Sequence, residues 1–166
     1  MTNQGFLPDN YEMVTSWKYL KLKQWSNKIR ILSNSLVGWV DWEDNNPVRT
    51  QKRQAPLSDK QRPKEFRAFA IRSYDDKEVI GAEITQATIK QAILALYENE
   101  DRGDPKQYDL TIEKTGEELK TKYTVLPSPK KELTEEQKEA LENVDINLEN
   151  LFEWKDSVTP KSNDPF

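Results

Sequence analysis

The chain has 166 residues, a third of them charged, with a formal net charge of −4 and neither cysteine nor histidine. That length fits one domain with extensions. The two missing residue types exclude disulfides, thiol chemistry, a histidine general base and the usual zinc ligand sets.

The charges are segregated. Residues 18–72 hold 13 Lys/Arg against 5 Asp/Glu, whereas residues 73–166 hold 12 against 22. Such asymmetry suggests a basic binding surface followed by an acidic tail. No apolar run approaches the roughly 20 residues that a membrane helix needs. The opening MTNQGFLPDNYEM has neither the basic start nor the apolar stretch of a signal peptide. A cytoplasmic setting is expected.

In chain order, residues 1–17 lack periodicity and read as an arm. YLKLKQW (19–25), NKIRILS (27–33) and SLVGWVDW (35–42) alternate or are rich in β-formers, and short polar breaks between them suggest a meander. Gly38 suggests a bulge or bend in the third run. Residues 43–64 carry three prolines and many cations without apolar periodicity, and read as a long basic loop. EFRAFAIRSY (65–74) and VIGAEI (79–84) read as a hairpin around DDKE. The 84–100 stretch is the clearest helix, with Ile89, Ile93, Leu96 and Tyr97 on one face and Thr85 as N-cap. Gly103 and Pro105 stop it. QYDLTIEK (107–114) and ELKTKYTVL (118–126) form a last hairpin, with Leu119, Tyr123 and Val125 on one face.

After Pro127 the composition turns acidic. A short helix at 133–143 has the capping box Thr134–Gln137. A weak amphipathic patch follows at 146–156, then a disordered tip. The expected organisation is an arm (1–17), a β domain (18–127) and a flexible acidic tail with short helical segments (128–166). Antiparallel strands with one helix between the third and fourth long strands match a mainly β, five-stranded Greek-key OB-fold barrel, its helix plugging one end.

Aromatics and cations interleave in the basic segment, and single-stranded nucleic acid needs both: cations for phosphates, rings for unpaired bases. A duplex reader would place a basic helix in the major groove, and the one strong helix carries a single cation, Lys90. The candidate interface comprises Lys28, Arg30, Trp39, Trp42, Arg49, Lys52, Arg53, Arg62, Lys64, Phe66, Arg67, Phe69, Arg72 and Tyr74. Strand parity divides them. Trp39 and Trp42 fall on opposite faces, as do Phe66 and Phe69, so one of each pair is core. Arg67 shares a face with Phe69; Arg72 shares one with Phe66 and Tyr74. The carboxylates Asp41, Glu43 and Asp44, and Glu98, Glu100, Asp101 and Asp104, sit at a strand end and a helix stop, where solvated acids are common. No metal, cofactor or enzymatic activity is expected, and no phosphate-binding loop motif occurs.

Several segments carry a resemblance. QGFLPDNYE, NKIRILS, PVR (47–49), EITQATIKQAI and above all GDPKQYDLTIEKTGEELKTKYTVLPSP (103–129) resemble the small OB-fold single-stranded DNA-binding proteins of bacteriophages. The last segment is also similar to the core of larger phage proteins of that kind, whose structural zinc does not transfer to a chain without Cys or His. The resemblance implies sequence-tolerant coating and protection of single-stranded DNA during replication, recombination or repair, in the cytoplasm of an infected bacterium. The ending Asp164-Pro165-Phe166 resembles the Pro-Phe ending with which bacterial single-stranded DNA-binding proteins dock replication or recombination partners. RNA as a ligand, and monomer against dimer, stay open. The rival expectation is an OB-fold module that binds a replication or host protein instead of DNA.

Overall fold

A computed structural model describes residues 20–59 and 62–161. Nine strands and two helices follow in order: β1 (Trp25–Ile31), β2 (Leu36–Glu43), β3 (Asn46–Thr50), β4 (Lys64–Ser73), β5 (Val79–Ile84), α1 (Ala87–Glu98), β6 (Tyr108–Thr115), β7 (Lys122–Lys130), α2 (Glu135–Glu142), β8 (Val144–Ile146) and β9 (Val158–Pro160). The protein is mainly β. Its principal sheet is antiparallel in the order β3-β2-β4-β1-β6-β7, with β5 paired to β4, while β8 and β9 form a separate ribbon. Among the described residues no helix is long and apolar enough to cross a membrane.

The first strands do not form the expected meander. β1 and β2 follow one another along the same edge of β4, with Ile31 opposite Ile71 and Leu36 opposite Ala68. The segment between them therefore takes two more steps than β4 does, a bulge that bends the strand. Its backbone groups are satisfied locally: Leu32 N–H donates to the Ala70 carbonyl at 2.8 Å, and Ala70 N–H donates to Ser33 Oγ at 2.8 Å. Gly38 is not the bulge. It keeps regular register opposite Phe66, and a Cβ there would lie 2.6 Å from the Phe66 ring and 3.1 Å from Phe152. Glycine is required for that close approach.

The expected 43–64 loop contains β3. Asp44 and Asn45 both have positive φ, the conformation a two-residue hairpin turn demands and one these residue types tolerate. Pro47 is accommodated because β3 is an edge strand. The rest of the loop is tied down at Asp41, whose buried carboxylate accepts from Leu57 N–H at 2.9 Å and Trp42 N–H at 2.8 Å.

β4 alternates between two cores. Phe69 and Ile71 face an inner cluster with Ile29, Ile31, Ile84, Leu110 and Ile112, which α1 closes with Ile89, Ile93 and Leu96. α1 also packs against β7. It begins after Gln86 rather than Thr85, without a side-chain cap. Phe66, Ala68 and Ala70 face the other way, where the C-terminal segment covers them. Leu148, Leu151 and Phe152 pack on Phe66 and Val40; Val158, Val144 and Ile146 pack with Ala70 and Val79. A Cβ on Gly81 would lie 2.6 Å from Ser157 Oγ, so a second glycine lets this segment approach the sheet.

Residues 128–161 are thus not a free tail, and 127 is not a boundary: β7 runs through it to Lys130. The predicted capping box of α2 is formed in both directions, Gln137 N–H donating to Thr134 Oγ1 and Thr134 N–H to Gln137 Oε1. Val158–Pro160, read as part of a disordered tip, is strand. Leu119, expected on the inward face of the last strand, sits in the turn before it, fully exposed at 103 %.

Candidate nucleic-acid interface

Five of the fourteen predicted contact residues are committed to the fold. Phe66 is 0 % exposed and Phe69 4 %, one in each core, so neither presents a ring to a ligand. Parity allowed one of the pair outside; the covering C-terminal segment removes that choice. Arg30 is buried, its Nε and Nη2 donating to the Lys106 carbonyl at 3.0 and 2.8 Å and Nη2 also to the Lys131 carbonyl at 2.8 Å. Asp109, itself buried, lies 3.6 Å from its guanidinium. Arg49 donates twice to the Glu83 carboxylate, Nε at 3.0 Å and Nη2 at 2.8 Å, and its side chain is only 7 % exposed. Arg72 is likewise buried and donates to Glu136 of α2 at 2.7 Å. Each arginine is a clamp between chain segments instead of a phosphate contact.

Two more aromatics are engaged. Trp42 is half-buried against Phe66 and the C-terminal segment. Tyr74 donates its hydroxyl to Asp109 Oδ2 at 2.7 Å and accepts from Gln137 Nε2 at 3.2 Å. Lys28 and Lys131 place their ammonium groups 4.7 and 5.8 Å from the Tyr74 ring centre. Lys131 is also 3.1 Å from Asp109, and that hydrogen bond, first among several contributions, raises the lysine above its ordinary pKa of 10.5. Tyr74 joins the sheet to α2, and Lys28 is its partly exposed cover.

The remaining candidates stay accessible. Trp39 lies half-buried on the opposite face of β2 from Trp42, paired across the sheet with Glu65 and Thr50. The Arg53 guanidinium stands 5.5 Å from its ring centre, a cation–π arrangement in which each group holds the other in place. Lys52, Arg53, Arg62 and Lys64 are exposed around the loop that Asp41 ties down. Arg67 follows two residues from Glu65 on the face of Trp39, opposite Val37. The result is a strip on one end of the sheet that the C-terminal segment does not reach, with one half-buried ring and several cations beside the loop packed on Asp41.

Next to this strip a groove of about 480 Å³ opens between the β1–β2 bulge, β4, α1 and the loop before β6. Val37, Leu94 and Tyr97 are its exposed apolar side chains, and Arg67, Lys90 and Lys106 its cations. Val37, Lys90, Leu94, Tyr97 and Lys106 were not among the predicted interface residues. Tyr97 stands about 100° round the helix from Leu96, which places it at the margin of the apolar face; that angle was the available signal. Among the described residues no group of acidic side chains is arranged to hold a metal ion. Asp164, Pro165 and Phe166 lie outside the described residues.

No protein-family model matches the chain, and no curated protein or solved structure matches it either.

Proposed function

We propose that this chain is a non-catalytic, OB-fold single-stranded DNA-binding protein of the bacteriophage type, which coats exposed strands without sequence preference during replication, recombination or repair. The observation that carries the reading is Trp39 with Arg53 across its ring, on the face of the sheet opposite the C-terminal segment, with Arg67 on that same face and Lys52 and Arg62 exposed in the loop between β3 and β4. A ring with cations at its margin suits an unpaired base and its phosphates, and suits a stacked duplex poorly.

The topology supports the OB assignment. If the bent β1–β2 counts as the first barrel strand and β4, β5, β6 and β7 as the next four, four of the five pairings of that barrel are present. The closing pair, β5 with β7, has no ladder among the described residues; α1, which follows β5 in the chain, packs on β7. The helix falls between the third and fourth barrel strands, as the fold requires. The loop between the first two barrel strands is the basic one. Asp164, Pro165 and Phe166 are the proposed partner-docking residues, and the infected bacterial cytoplasm the proposed setting.

The test is binding of a labelled oligothymidylate and of a duplex of equal length across a salt series. The strand binds much more tightly than the duplex, and its log affinity falls linearly with log salt at about 0.7 per phosphate contacted. Equal affinity for the two, or no response to salt, contradicts the proposal.

A further inference from the structure

We infer that the groove beside α1 is a subsite for one unstacked base of the bound strand, with Tyr97 as its stacking wall and Lys106 and Arg67 meeting the flanking phosphates. This rests on the single-strand reading above and adds to it a second, separate point of capture.

Four observations converge on that occupant. First, the walls are apolar and open: Val37, Leu94 and Tyr97 are large side chains left exposed together, Tyr97 at 60 %, on a protein that buries Phe66 and Phe69 completely enough to need no extra cover. An exposed apolar cluster at a concavity marks a binding site more often than a defect. Second, its volume of about 480 Å³ suits a nucleotide-sized ligand. Third, three cations line it against one carboxylate, Asp104. Asp104 stands 3.6 Å from Lys106, and Glu65 stands 3.5 Å from both Arg67 and Lys90. Lys90 is further committed by donating to the Glu65 carbonyl at 2.7 Å, and Lys106 donates to Asn34 Oδ1 at 2.6 Å. The surplus is positive, so the occupant is anionic at its edges and flat and apolar in its body. Fourth, Arg67 Nε is buried and has no hydrogen-bond partner among the described residues. A donor left unmade there is costly, and a shift of the guanidinium toward the groove, where the side chain is 26 % exposed, lets a phosphate oxygen satisfy it.

The position fits a continuous path. Val37, at the groove, and Trp39, on the strip, are two residues apart on one face of β2, about 6–7 Å along the strand. A strand stacked on Trp39 is thereby delivered to Tyr97. Capture at both rings fixes the path of the backbone around the end of the sheet, past the β1–β2 bulge.

The experiment uses the full chain and an oligothymidylate carrying iododeoxyuridine, cross-linked by long-wavelength light and mapped by peptide mass spectrometry, alongside affinities for Tyr97→Ala and Tyr97→Phe. Tyr97 is exposed, so both variants fold; thermal melts check this. The expected result is a cross-link on the peptide containing Tyr97, and a loss of about fivefold or more in Tyr97→Ala, restored in Tyr97→Phe. The salt dependence is unchanged in Tyr97→Ala, whereas Lys106→Ala lowers its slope by about one phosphate's worth. If wild-type protein binds the strand but Tyr97→Ala binds equally well and cross-links fall only on the Trp39 peptide, the subsite is refuted and the single-strand reading stands. If wild-type protein does not bind the strand, the reading fails and the subsite with it.

Discussion

Trp39 and Phe66 belong to neighbouring strands and were equal candidates by residue type, yet opposite outcomes are expected when each is cut to alanine. Phe66 fills the outer core between Val40, Leu151 and Phe152. Its removal leaves a cavity and costs about 3–5 kcal/mol of stability, read as a drop in the urea midpoint. Trp39 touches solvent and Arg53. Its removal weakens oligothymidylate binding by about 5- to 150-fold, the range that corresponds to about 1–3 kcal/mol of stacking, with little change in the midpoint. A Phe66→Ala protein as stable as wild type would contradict the packing described. Two other residues make stability depend on alkaline pH. Burial raises the Tyr108 hydroxyl above its ordinary 10.0, with Arg102 opposing and Asp104 adding to the shift. Lys131 is raised by its hydrogen bond to Asp109. Both groups hold their proton longer in the folded chain than in the unfolded one. Their contribution is therefore complete below the unfolded values and is lost as pH rises through the folded ones. Urea midpoints should fall above about pH 10, and less steeply in Tyr108→Phe. A fall of the same steepness in that variant would place the alkaline sensitivity elsewhere.

At the scale of elements, the contacts that hold the C-terminal segment are the most exposed to test. Gly38→Ala drives a methyl group into the Phe66 ring, with Phe152 just beyond. Overpacking of this kind costs about 1–3 kcal/mol, and here it also loosens the segment, so limited proteolysis should cut sooner within 147–157. Thr134→Ala removes the acceptor for Gln137 N–H at the start of α2 and costs about 1 kcal/mol. Proteolysis unchanged in Gly38→Ala would mean that the ring and the glycine are not in the contact described. Some of this was readable from the chain alone. The β4–β5 hairpin announces itself by alternation around Asp75 and Asp76, and the box at Thr134 and Gln137 is a local pattern whose geometry needs only four residues. The collinearity of β1 and β2 is not local: alternation shows that a run is a strand, but not which edge of which partner it takes. β3 had a signal in Asp44-Asn45, masked by the prolines and charges that follow. The burial of Phe66 depends on Leu151 and Phe152, more than eighty residues away in sequence, and no period within β4 records them.

Over the whole molecule, the charge segregation takes a different meaning once the chain is folded. The acidic C-terminal segment after β7 is not a separate appendage but the cover of one sheet face, joined there by Arg72 to Glu136 and by Tyr74 to Gln137. That face carried much of the predicted nucleic-acid surface, and its occupation leaves the opposite face, around Trp39, for the proposed ligand. A chain ending at 127 loses Leu151, Val158 and the end of β7, and exposes Phe66, Ala68 and Ala70. It should be unfolded or aggregated by circular dichroism, whereas a chain ending at 161 should fold and bind DNA while losing partner capture. A folded, DNA-binding 1–127 fragment would show that the cover is dispensable. The proposed stacking of unpaired bases on Trp39 is tested most directly by titrating oligothymidylate into wild-type protein and Trp39→Phe while following tryptophan fluorescence. Strong saturable quenching is expected in wild type and largely disappears in Trp39→Phe, although the phenylalanine variant still binds by anisotropy. Quenching of equal depth in the two proteins, or none in wild type, would contradict it.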